Sequence, residues 1–379
     1  MAAQAKLDAA RAALTELAAA HHKEGDELRH LPPVLAEAFL RHDVYRLLLP
    51  RDLGGAGVDP LDYLQLVEDV AAVDGSIGWN LAIGIGSGLF VGYLPPERSR
   101  AMFAAPDCGI AGAYAPMGRG EPVEGGYRVS GHWGWASGVH QAHWMVFGFA
   151  VPQGNGEKPE VRQALAPRDA FHILDTWHVG GMRGTGSTEY EVEDLFVPAE
   201  MTFQMFIGKP RHPAPLFRLP GGFFGAALAI VVLGIARGAA EALRQLAASK
   251  PAAPGRPSLR DQAFAQYAVG KAQALAESGS LYLHDAIAEI WEHIQRGEDI
   301  DLERKAHARR AGVQAAESGL EAVDLCCRAA GGAALFEALP FERASRDAHA
   351  AMGQIVFQRG AMEDVGRVAF GLAPLSPTF

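Results

Sequence analysis

The chain has 379 residues, about half of them apolar, so it can bury a sizeable core and exceeds one typical small domain. Its formal net charge is −10 with no basic run, which argues against a nucleic-acid partner. Three cysteines, Cys108, Cys326 and Cys327, make a poor disulfide framework, and a charged, Ala-rich segment follows Met1 where a signal core would be apolar. The longest apolar stretch, Gly221 to Ile235, is too short and interrupted to span a bilayer, so a cytoplasmic protein with no membrane segment is expected.

In chain order, residues 1–106 read as an N-terminal α-helical domain. Ala, Leu and Val recur at three- and four-residue spacings in Leu14–Ala20 and Leu61–Val73. Pro32-Pro33 opens a helix, where the missing N–H is tolerated, and Gly54–Gly57 breaks the chain before another helix near Pro60. Residues 107–215 read as a β domain of short strands at Tyr127–Ser130, Trp144–Val151, Phe171–Leu174 and Glu189–Val197, with a hairpin turn at Gly125-Gly126. Residues 216–379 return to helix: Gly222–Ser249, Leu259–Arg296, Asp301–Ala330 and Pro340–Phe370 form a four-helix bundle, the first two parted by the loop Pro251–Pro257. The first of these is apolar nearly all round, which points to cover from a neighbouring subunit unless the helix is central in its own. The fold class is α+β. The cluster Gly84-Ile-Gly-Ser-Gly88 sits in an apolar helical pattern and is no phosphate loop.

Four motifs carry a resemblance. They are Leu49-Pro-Arg-Asp-Leu-Gly-Gly-Ala-Gly57 with Leu66–Ala72, Gly131-His-Trp-Gly-Trp-Ala-Ser-Gly138, Gly181-Met-Arg-Gly-Thr-Gly-Ser187 with Asp194-Leu-Phe-Val-Pro198, and Gly331-Gly332 with Arg346-Asp347. In this order they resemble the acyl-CoA dehydrogenase superfamily: a helical domain, a central β-barrel-like domain and a helical bundle. Ala115–Gly131, the Ala-Ser-Gly ending at 138 and Arg183–Ser187 are more similar to the two-component flavin-dependent monooxygenase branch. That resemblance implies reduced flavin from a separate reductase, molecular oxygen as co-substrate, an aromatic, polycyclic or amine small molecule as substrate, and a homotetramer with flavin bound across subunits.

A dehydrogenase needs a carboxylate to take the α-proton of an acyl thioester. Where the dehydrogenase motif places it, this chain reads Ala348-His-Ala-Ala-Met-Gly-Gln-Ile-Val-Phe-Gln358, without an acid. Further on, Glu363 reads as a helix-surface residue; on the alternative helix, around Leu233–Gly238, Ile235 and Ala236 offer nothing and Glu241 comes too late. A dehydrogenase or oxidase with a relocated base, or a flavin-binding relative without turnover, are the other readings.

The resemblance implies roles for individual residues. Ser137 would face flavin N5 and Trp135 would lie against the ring, although a turn hydroxyl and a core Trp are the plain alternatives. Arg183, Gly184, Thr185 and Ser187 would contact flavin or simply connect strands. His349 or Gln354 would assist oxygen chemistry, but a Gln donates a hydrogen bond without shuttling a proton. Gln262, Gly331 and Gly332 would hold the phosphate end. The usual Arg is displaced to Arg256 and its companion Phe is missing, so FMN and FAD both remain open. Trp79, Asn80 and Ser87 would line the substrate pocket or simply pack in the core. His140, His143 and His178 lack metal-ligand spacing, so no metal is expected.

Overall fold

The computed structural model describes residues 2–153, 157–205, 207–249, 257–376 and 379. Five helices come first: α1 (Ala2–Leu28), α2 (Pro33–Arg41), α3 (Pro60–Ala71), α4 (Gly75–Gly86) and α5 (Pro96–Met102). Their starts follow local chemistry. Asp59 accepts from the Leu61 amide ahead of α3, and Asp74 accepts from the Ile77 amide ahead of α4.

Seven strands then form one sheet: β1 (Ile110–Val123), β2 (Gly126–Trp133), β3 (Trp144–Val151), β4 (Glu160–Pro167), β5 (His172–Ile173), β6 (Tyr190–Pro198) and β7 (Thr202–Phe203). Their order is β5-β6-β2-β1-β3-β4-β7, antiparallel except where β1 runs parallel to β3. β3, β5, β6 and part of β2 are legible in the sequence; β1, β4 and β7 are not. β1 hides because Gly and Pro interrupt its pattern. Gly118 is a packing requirement: a Cβ there would stand 2.4 Å from the Trp133 ring.

The C-terminal helices are α6 (Gly222–Ser249), α7 (Ala263–Gln295), α8 (Leu302–Ala330), α9 (Pro340–Ala351) and α10 (Arg359–Ala369). The single helix expected over Pro340–Phe370 is therefore two. Its break follows Gly353, where Gln354 turns extended and its side-chain oxygen accepts the Ile355 amide. α6 also departs from expectation. It is long and apolar enough to cross a membrane, yet it is largely buried inside its own subunit, packed against α3, α4, α7, α8 and α9. A neighbour is not needed to cover it.

Two cores result. N-terminal and C-terminal helices share one, while the sheet has another built on Trp133, Phe147, Phe149, Phe171 and Tyr190. The seam between them carries the polar residues described next.

Candidate active site

Two loops meet at this seam. One follows β2 and carries Trp135, Ser137 and Gln141; the other precedes β6 and carries Met182 to Thr188. Backbone bonds join them: Ala136 N–H donates to the Thr188 carbonyl and Gly138 N–H to the Thr185 carbonyl. Between the loops stands a row of buried hydroxyls. Ser137 Oγ and Ser187 Oγ are 2.6 Å apart, and Ser187 Oγ and Thr185 Oγ1 are 2.6 Å apart. The row ends where Thr185 Oγ1 donates to the Met182 carbonyl at 2.8 Å. At its other end the Trp79 indole N–H donates to Ser137 Oγ at 3.1 Å.

Helix α4 fixes the row from the N-terminal side. Asn80 is buried, donates to the Ser76 and Gly184 carbonyls, and accepts from Gln141 Nε2 at 3.0 Å. Trp79 and Asn80 thus tie the two flavin-type motifs together, a structural duty that the sequence reading does not assign them. Ser87 is buried at the end of the same helix, two turns beyond Asn80.

Trp135 is not a core residue. It is 72% exposed, adopts a left-handed backbone with φ of 68°, and meets Trp177 edge-on at 6.0 Å. A bulky aromatic with positive φ is a conformational outlier that its surroundings must hold in place.

Helix α9 supports the site from the C-terminal side. The Asp347 carboxylate is almost fully buried and accepts the Met182 N–H at 2.6 Å. Burial, reinforced by the nearby charge of Asp74, pushes its pKa up to about 7. Arg346 donates to Asp26, Glu342 and the Gly180 carbonyl. The pair therefore clamps the 180–182 stretch. Gly181 permits the clamp, since a Cβ there would stand 2.0 Å from the Arg346 carbonyl oxygen.

Other candidates fall elsewhere. Arg183 donates to the Asp26 carbonyl, so its guanidinium secures α1. His349 is exposed on α9, where its Nδ1 bonds the Ser345 carbonyl and its Nε2 lies 3.8 Å from Asp324. Gln354 is half-buried in the turn after α9. Gln262 donates to the Pro257 carbonyl at the start of α7. Gly331 and Gly332 end α8 with open space beside both. Among the described residues these last three share no hydrogen bond with the hydroxyl row; Arg256 lies outside the described residues.

Rings gather beyond α4. Phe90 stacks on Phe224 at 5.6 Å and on Phe203 at 6.2 Å, with Tyr114 at 6.4 Å. A small cavity opens among Phe90, Tyr93, Phe217 and Phe224, where the N-terminal helices, the sheet and α6 meet.

Comparison with known proteins agrees with this architecture. The family models for the acyl-CoA dehydrogenase N-terminal domain and C-terminal domain match residues 2–94 and 226–359. An indole-3-acetate monooxygenase of Pseudomonas putida is 32% identical over 93% of this chain and 90% of its own length. The oxygenase subunit HsaA of a Rhodococcus jostii flavin-dependent monooxygenase is 31% identical over 91% of this chain and 92% of its own. The crystal structure of the HsaA monooxygenase from M. tuberculosis superposes with a TM-score of 0.92 at 28% identity, covering 100% of both chains.

The fold is thus that of the acyl-CoA dehydrogenases. Within it, the chain belongs to the flavin-dependent monooxygenases, as the oxygenase component of a two-component system that takes reduced flavin from a separate reductase and uses molecular oxygen.

Proposed function

We propose that the hydroxyl row marks the position of the flavin ring, with Ser137 Oγ toward N5 and Trp135 against the ring. The row carries this reading, because it is a buried polar array at a domain seam, built from both motifs that resemble flavin contacts. Trp135 supports it: a large ring held outward beside Trp177 offers a planar apolar surface. The open backbone at Gly331-Gly332 and the amide of Gln262 suit the phosphate end of FMN or FAD. Bound flavin supplies the oxygen-activating chemistry that side chains lack. The protein's own residues hold the ring, orient it and keep water from the seam.

The substrate is a small aromatic molecule. Indole-3-acetate, in the name of one relative, is of that class. Gln354 is better placed than His349 to hydrogen-bond near the reacting atoms, being half-buried while His349 is exposed and turned toward Asp324. A homotetramer in the cytoplasm, served by a soluble reductase, completes the picture.

The two acids weighed as a relocated dehydrogenase base are both engaged elsewhere. Glu241 is held by Arg244 and Gln245, with Arg244 keeping its pKa down near about 2, and Glu363 pairs with Arg359. The test is to load the protein anaerobically with flavin and add a chain-length series of acyl-CoAs. No bleaching of the oxidised flavin is expected. With reduced flavin, oxygen and a panel of aromatic acids and phenols, an oxygenated product is expected. Catalytic bleaching by any acyl-CoA would overturn the reading.

A further inference from the structure

Resting on that reading, we infer that Ser187 and Thr185 are positioning residues that make Ser137 a hydrogen-bond acceptor toward the flavin, so that the site selects reduced over oxidised flavin. The number of protons fixes the sense of each bond. An indole N–H only donates and a carbonyl only accepts, while each hydroxyl has one proton and two acceptor lone pairs. The row has four links and both of its ends are fixed in sense. Trp79 must donate to Ser137, and the Met182 carbonyl must accept from Thr185. Thr185 has then spent its proton, so Ser187 donates to Thr185, and Ser137 in turn donates to Ser187.

Every proton of the row thereby points away from the flavin side. Ser137 Oγ accepts from Trp79 and keeps one lone pair. Reduced flavin carries a proton on N5 and donates; oxidised flavin has a bare N5 and accepts. The row as built therefore matches the reduced form. Serving the oxidised form turns the Ser137 proton toward N5 and leaves one link of the row without a proton; if all three hydroxyls reverse, that link is Thr185 Oγ1 to the Met182 carbonyl at 2.8 Å. That carbonyl already accepts from the Trp177 indole and the Thr185 amide, so the loss falls on one hydrogen bond. One net hydrogen bond corresponds to roughly a two- to tenfold preference.

The device fits an enzyme that receives reduced flavin by diffusion and must release the oxidised form after turnover. It also separates two jobs. Ser137 touches the cofactor, whereas Thr185 and Ser187 act only through it.

The experiment compares dissociation constants of oxidised and anaerobically reduced flavin in wild type, Thr185→Val, Thr185→Ser and Ser187→Ala, with the two-electron midpoint potential of the bound flavin as a second readout. Wild type should bind the reduced form more tightly, which raises the bound potential by roughly 30 mV per tenfold preference. Thr185→Val removes the fixed end and Ser187→Ala cuts the row. Either change frees Ser137 to donate, so oxidised flavin should gain affinity, the ratio should fall toward one and the potential should drop. Thr185→Ser keeps the hydroxyl and should retain the wild-type ratio. A ratio unchanged in both Thr185→Val and Ser187→Ala, with flavin still bound, overturns the inference alone. Wild type that binds neither flavin overturns the functional reading with it.

Discussion

The Asp347 carboxylate accepts the Met182 amide at 2.6 Å across 165 positions of sequence, and so fastens the C-terminal helices to the loop that carries Thr185 and Ser187. Its pKa is raised from 3.8 to about 7, by burial first and by Asp74 second, with Arg346 opposing. An acid whose folded pKa lies above its unfolded value stabilises fully below the unfolded value, and that contribution is lost as pH rises through the folded one. Wild type should therefore lose stability between about pH 4 and 7, and Asp347→Asn, which keeps an acceptor for Met182 without a charge, should flatten that slope. Thermal melts across the window check this; an Asn variant with the wild-type slope would show that other groups set it. Asp347→Ala should cost about 1–3 kcal/mol at low pH, where the wild-type acid is neutral, because the buried Met182 N–H is left unpaired, and should lose the wild-type slope as Asp347→Asn does.

Gly181 tests the same junction by steric means. A methyl group there must displace the Arg346 carbonyl, so Gly181→Ala should cost about 1–3 kcal/mol by overpacking. The displacement acts on a loop of the proposed flavin site, so flavin affinity should fall as well. Urea unfolding and flavin titration read the two effects. A variant with unaltered stability would mean that the start of the loop yields freely.

Trp135 separates binding from folding. Its side chain is 72% exposed, so Trp135→Ala should change stability by no more than about 0.5 kcal/mol. If the ring faces flavin, the same variant should bind flavin several-fold less tightly. Equal flavin affinity in variant and wild type would assign the exposed Trp135–Trp177 pair to another task.

Ser137→Ala removes the acceptor proposed for N5 and strands the Trp79 N–H. The expected result is uncoupling: roughly a two- to tenfold larger share of consumed oxygen recovered as hydrogen peroxide, matching one lost hydrogen bond. Circular dichroism should show the fold intact. Unchanged coupling would reduce Ser137 to a turn residue.

Much of this arrangement is legible in sequence because it is local. Pro at helix starts, the apolar spacing of α3 and the apolar run of α6 each declare themselves within a few residues. Motif order then carries the fold. What escapes is set by long-range contact. β1 reads as loop because Gly118 answers to a Trp133 ring, and α9 and α10 read as one helix because the turn at Gly353–Gln354 lies inside a helical period. The bond that Asp347 makes is not legible because its partner, the Met182 amide, is backbone and invisible to residue-type reasoning. The sense of the hydroxyl row needs distances that no spacing supplies.

Assembly is the last prediction. Since α6 is buried within its own subunit, the case for a neighbour moves to the surface. Phe264, Tyr267 and Leu281 lie along one face of α7 and are 53%, 64% and 72% exposed. Beyond α8, Leu335, Phe336, Ile355, Phe370 and Leu375 are each at least 65% exposed. So many large apolar side chains on the C-terminal helices and their connections mark interaction surface. The proposed phosphate-end residues Gln262, Gly331 and Gly332 lie in these same regions, apart from the hydroxyl row, so completing the flavin site across subunits ties affinity to assembly. Light scattering should give a mass near four times 40.3 kDa. Charging the α7 face with Tyr267→Glu and Leu281→Glu should lower that mass and weaken flavin binding together, while leaving the subunit folded because both side chains are exposed. A monomeric wild type with full flavin affinity would refute both the assembly and the shared site; a dissociated variant that still binds flavin as tightly would confine the site to one subunit.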